Sequence, residues 1–112
     1  MVHAFLSLSR ERLSLAIKGH AGAGAHGSDL VCAACSVLAA TLREMVANGV
    51  KNNAFYGEPI LHLSGGDALI SCTPRADFYI EFLHAYYMAH VGLSLLSAEY
   101  PEYVRTELCE GE

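Results

Sequence analysis

His20 and Cys32 lie in the segment Gly-His-Ala-Gly-Ala-Gly-Ala-His-Gly-Ser-Asp-Leu-Val-Cys-Ala-Ala-Cys-Ser, residues 19–36. A thiol and an imidazole near one another are the raw material of nucleophilic catalysis, the thiolate attacking and the imidazole moving the proton. Ser28 and Asp29 are helix-starting residues, so the spacing predicts Cys32 in the first turn of a helix, where the positive dipole end favours a thiolate. Asp29 is expected first as a helix cap, and only second as a group that orients the imidazole. The glycines at 19, 22, 24 and 27 either turn the chain or bring backbone N–H groups to a developing oxyanion and move as a lid.

Other chemistry competes for the same residues. Cys32-Ala-Ala-Cys35 is a CxxC at a predicted helix start, the arrangement of thiol-disulfide oxidoreductases, although those follow a βαβ pattern and this one follows a hairpin. Cys32 and Cys35 with His20 or His26 could also hold zinc, but one CxxC without a second ligand pair does not define a structural metal site. The expectation is no metal and no cofactor. The four cysteines, 32, 35, 72 and 109, read as reduced thiols of a cytoplasmic chain, with Cys72 a small buried hydrophobe. His3, His62, His84 and His90 read as ordinary strand and helix histidines.

The elements that must position these groups follow from periodicity. Val2, Ala4, Leu6 and Leu8 alternate, as do Leu13, Leu15 and Ile17, with Arg10-Glu11-Arg12 between them, which predicts an antiparallel hairpin ending near His20. After the glycine-rich loop, Leu30, Val31, Ala34, Val37, Leu38, Thr41, Leu42, Met45 and Val46 fit a helix stopped by Asn48-Gly49. Phe55 to Leu63 reads as a third strand interrupted near Gly57 to Pro59, and Ser64-Gly65-Gly66-Asp67 as a hairpin turn into a fourth, Ala68 to Thr73. Pro74 and Asp77 open a second helix with Phe78, Phe82, Ala85, Tyr86, Ala89, Leu93 and Leu96 on one face, and Tyr103 to Leu108 suggests a fifth strand. The expected fold is α+β, an antiparallel sheet of four or five strands with two main helices in the order β-β-α-β-β-α(-β).

With 112 residues the chain reads as a single domain, 1–112, able to bury a core without disulfides. The net charge is -5 and no basic run occurs, which argues against direct nucleic-acid binding. The N-terminus reads as lacking a signal peptide, and Phe78 to Ser97, the most apolar long stretch, carries Glu81, His84 and His90, so no membrane span is expected. That helix is apolar nearly all round. A small domain has little room to bury both faces, so a homodimer is expected to cover the second.

Gly19-His20-Ala21-Gly22, then Gly27, Asp29, Val31-Cys32-Ala33-Ala34 and Ser36, resemble the signature of the ribosomal-processing cysteine proteases called Prp. The likeness extends through the Gly65-Gly66 hairpin, Gly92-Leu93 and Tyr100-Pro101-Glu102-Tyr103-Val104. The resemblance implies an α+β homodimer in which Cys32 and His20 form a catalytic dyad, with Gly22, Gly27, Asp29 and Ser36 supporting the site. It implies that the loop Ala21 to Ser28 closes over a peptide. The implied substrate is the precursor of the twenty-seventh large-subunit ribosomal protein, which loses an N-terminal extension. Cys35 departs from the pattern, where a small aliphatic residue is common. Two other functions remain open, thiol-disulfide exchange by Cys32 and Cys35, and a non-catalytic ribosome-associated binding module.

Overall fold

The computed structural model describes residues 1–20 and 26–111, and for residues 26–29 the backbone alone. Strand β1 (Val2–Leu8) and strand β2 (Leu13–Lys18) form the expected hairpin, in register from His3↔Lys18 to Leu8↔Leu13. Helix α1 (His26–Lys51), β3 (Ile60–Ser64), β4 (Asp67–Cys72), a 3-10 turn at Ala76–Phe78, α2 (Tyr79–Glu99) and β5 (Val104–Glu110) follow. The order is thus β-β-α-β-β-α-β, with the fifth strand present.

The strands lie in the order β3-β4-β2-β1-β5. Neighbours among the first four strands pair antiparallel, whereas β5 joins β1 in parallel, which makes the sheet mixed. The reason is the connection: α2 carries the chain from the end of β4 back across the sheet, and a helical crossover delivers the next strand running the same way.

Period-two alternation puts one side chain in two on the helix-covered face. Leu6, Leu15 and Ile70 form one cross-strand row there, and Leu8, Leu13 and Cys72 another, all buried. Helix α1 covers β3 and β4, and α2 covers β1, β2 and β5. The inner stripe of α1 is Val31, Cys35, Ala39, Leu42 and Val46 at helical spacing, while Leu30, Val37 and Met45 of the expected apolar face are exposed. On α2 the buried residues Phe82, Ala85, Tyr86, Ala89 and Leu93 are all from the expected face. The Tyr86 hydroxyl donates to the Ile70 carbonyl at 3.0 Å and lies 3.6 Å from the Cys72 sulfur, tying α2 to β4.

Of the boundaries that differ from the sequence expectation, three have a visible physical reason or consequence. Helix α1 runs through Asn48-Gly49 to Lys51, and the chain turns at Asn53 with φ 56°. Gly49 serves packing rather than termination: a Cβ there would lie 2.6 Å from Phe82 Cζ and 2.8 Å from Phe55 Cε2, so the bare backbone makes room for that ring pair, whose centroids are 4.7 Å apart. The third strand begins only at Ile60, because Gly57 takes φ +68° and Phe55 makes an isolated bridge to Pro74. Finally, α1 begins at His26, so Asp29 lies within its first turn rather than at its cap, and Cys32 is the seventh residue, in the second turn.

Candidate active site

Lys18 is the last residue of β2, and beyond it Gly19 turns the chain with φ +97°. That conformation suits glycine, and a Cβ would strike the Met1 carbonyl oxygen. The Gly19 N–H donates to the Gly66 carbonyl at 2.9 Å, and the Met1 nitrogen donates to the His20 carbonyl at 2.6 Å. His20 is therefore fixed at the end of the sheet by its own main chain, with its side chain exposed. Across the sheet end, α1 contributes Cys32, half-buried against the core.

His20 and Cys32 line one cavity of about 190 Å³. Cys35, Ser36 and Ala39 continue its α1 wall, Leu63 to Ala68 form the hairpin wall, and Val2 and Ile17 lie in the sheet. Ser36 thus lines the same cavity as His20 and Cys32. Gly22 and the Ala21-to-Ser28 loop as a lid fall on or across residues outside those described. Gly27 and Asp29 are placed as first-turn residues of α1, while the Asp29 side chain lies outside the described part.

The two cysteines of the CxxC differ in chemistry. Burial, with the neighbouring Cys32 as a smaller cause, pushes the Cys35 thiol up to about 11, so it stays protonated near neutral pH. Cys72 is likewise pushed up to about 11 by burial. The second-turn position of Cys32 also weakens the expected help from the helix dipole, which fades beyond the first turn. Among the described residues lining the cavity, His20 carries the imidazole.

A second polar group at the hairpin has the residue types of a Ser-His-Asp triad but not its geometry. Asp67 Oδ2 lies 3.2 Å and Ser64 Oγ 3.4 Å from the same nitrogen, Nε2 of His62. A relay needs one partner at each ring nitrogen, so this trio is a surface cluster. Among the described residues no three His, Cys, Asp or Glu side chains gather closely enough to hold a metal ion. What sequence reasoning missed is Gly66 beneath the His20 ring and the Leu63-to-Ala68 wall, whose distance along the chain gives no local signal.

No curated protein matches the sequence. Among solved structures, SMU.848 from Streptococcus mutans aligns with a TM-score of 0.68 at 24% identity, covering 99% of this chain and 96% of that one. The essential ribosomal processing protease Prp from S. aureus in complex with a substrate peptide aligns with a TM-score of 0.69 at 19% identity, covering 96% and 99%. The same protease with a covalently linked product peptide gives 0.69 at 20% identity, with the same coverage. These likenesses establish the fold. The family model for cysteine protease Prp matches residues 1–105, nearly the whole chain including His20, Cys32 and the hairpin wall. With that match over a fold that brings a thiol and an imidazole to one cavity, the chain belongs to the cysteine protease Prp family and is a cysteine-type peptidase.

Proposed function

We propose that this peptidase processes a ribosomal protein, removing the N-terminal extension of large-subunit protein twenty-seven with Cys32 as nucleophile and His20 as general base. The observation that carries the reading is the shared cavity of His20 and Cys32. The S. aureus protease of the same fold is a ribosomal processing enzyme with a substrate peptide bound, which supports a peptide from a ribosomal precursor as substrate here.

In this mechanism His20 takes the Cys32 proton, and the thiolate attacks the scissile carbonyl carbon. Backbone amides near the loop and helix start hold the oxyanion. Collapse of the tetrahedral intermediate breaks the C–N bond, and the imidazolium gives its proton to the leaving amine. Water, deprotonated by His20, then hydrolyses the thioester and frees Cys32. Ser36 and Asp29 support the site together with Gly22 and Gly27, and no cofactor takes part.

The whole of residues 1–112 acts as one cytoplasmic protease domain and works as a homodimer, without direct nucleic-acid or membrane contact. The dimer reading rests on the outer helix faces, where Leu30, Val37, Met88, Val91 and Leu95 are exposed. Leu30, Ala33, Val37, Gly92 and Leu95 line an apolar groove of about 530 Å³ between α1 and α2. Thiol-disulfide exchange has less support, because the Cys32-Ala-Ala-Cys35 pair follows a hairpin rather than a βαβ unit and Cys35 is buried in the cavity wall.

The test is incubation with a peptide spanning the ribosomal extension, comparing wild type with Cys32→Ala and His20→Ala. Cleavage by wild type and its loss in both variants is expected. Cleavage surviving both changes overturns the mechanism, and binding without turnover by wild type favours the non-catalytic module.

A further inference from the structure

The His20 imidazole rests on Gly66, a residue far along the chain at the tip of the β3–β4 hairpin. A Cβ at 66 would lie 2.6 Å from His20 Cε1 and 3.1 Å from Cδ2, and closer still to Nε2. All three are ring atoms, so any side chain at 66 occupies the space of the imidazole itself. Gly66 also takes φ +74°, and its carbonyl accepts the Gly19 N–H at 2.9 Å. One residue thus holds the main chain just before His20 and gives its ring a flat seat. Asp67, next in the chain, does not orient the ring, because its oxygens are engaged by Lys18 at 3.0 Å and His62 at 3.2 Å.

We propose that Gly66 is a positioning residue for His20, its missing side chain setting where the imidazole can stand in the cavity shared with Cys32. This rests on the reading of His20 as the general base. A side chain at 66 pushes the ring off its seat, and a displacement of about 1 Å is enough to cost on the order of 100-fold in rate.

The experiment uses the full chain with Gly66→Asn and Gly66→Ala. Asparagine tolerates a positive φ, so it tests the added Cβ with little backbone strain. Gly57→Asn is the control, since Gly57 has φ +68° and open space where its Cβ would fall. The expected result is kcat on the extension peptide reduced about 100-fold in both position-66 variants, with KM changed less than about threefold. Gly57→Asn keeps wild-type kcat. A second measurement follows iodoacetamide alkylation of Cys32 against pH, with and without His20→Ala. Gly66→Asn is expected to alter the profile when His20 is present and to leave it unchanged in the His20→Ala background, because a residue acting through the imidazole has nothing left to act on. Wild-type kcat in Gly66→Asn, or an equal change in alkylation with and without the imidazole, overturns the proposal while leaving His20 as the base. Wild-type cleavage by His20→Ala overturns the base reading itself, and Gly66 as its seat with it.

Discussion

Lys18 Nζ lies 3.0 Å from Asp67 Oδ1, directly across the β2–β4 ladder at the pair that immediately precedes Gly19 and His20. The ion pair closes the ladder where the chain leaves the sheet for the site. Its main effect is on the carboxylate: the hydrogen bond and charge of Lys18, with smaller help from His62, hold Asp67 below the usual carboxylate range.

The pH dependence follows from that direction. A lowered carboxylate pKa adds stability above the unfolded value, and this is lost as pH falls through the lower folded value. Asp67→Ala is therefore expected to melt slightly below wild type at neutral pH, with the gap closing under acid and narrowing in high salt, because the pair is exposed. Thermal melts across pH and salt check this. A gap unchanged in acid would assign the effect to shape rather than charge.

The buried thiols give the opposite pH trend. Cys35 and Cys72 are both held near 11, against about 8.5 for a free cysteine. The folded state keeps its protons when the unfolded chain would lose them, so stability falls as pH rises from about 8.5 toward 11. Cys35→Ala should flatten part of that decline, read as a shallower loss of the urea midpoint with pH. The same chemistry predicts that iodoacetamide at pH 7.5 labels Cys32 and the exposed Cys109 first, with Cys35 and Cys72 labelled only on unfolding, which peptide mass spectrometry resolves.

Gly49 and Gly92 make a paired packing test. A methyl at 49 meets two aromatic rings, whereas at 92 it meets Leu38 Cδ2 at 2.8 Å, the far end of a flexible side chain. Alanine gains about 1 kcal/mol of helix propensity at either site. Overpacking costs about 1–3 kcal/mol where neighbours cannot yield. Gly49→Ala is expected to destabilise the protein in urea titration, and Gly92→Ala to be near neutral or stabilising.

The Tyr86 hydroxyl bridges α2 to the Ile70 carbonyl in the core at 3.0 Å. Tyr86→Phe removes the donor and leaves a buried acceptor short of a partner, at a cost of about 1–2 kcal/mol. Chemical denaturation should show the loss, with the peptidase activity of the remaining folded protein unchanged.

The parts legible in sequence were those with a local period. The β1–β2 hairpin, both helices and the buried face of α2 follow from alternation or helical spacing, and His20 and Cys32 were legible because one loop joins their elements. The remainder depended on residues distant in sequence. Asn48-Gly49 has the form of a helix stop, yet Phe55 and Phe82 decide what Gly49 does. Gly66 reads as a turn glycine, and only the sheet order brings it beneath His20. Likewise nothing local in Val104–Glu110 states that it pairs with β1 in parallel, since the crossover through α2 sets its direction.

The outer helix faces carry the last prediction. Leu95 is 67% exposed and Val37 64% exposed on opposite walls of the groove between α2 and α1. Neither reaches the cavity of His20 and Cys32, and an apolar stripe of this kind gains from being covered by a second copy of the chain. A carboxylate there costs little in an isolated chain and much in a closed interface. Leu95→Asp with Val37→Asp is expected to convert a dimer to a monomer in light scattering, with little change in the far-ultraviolet circular dichroism. A wild type that runs as a monomer at every concentration would remove the homodimer, and an unchanged dimer in the double variant would place its interface elsewhere.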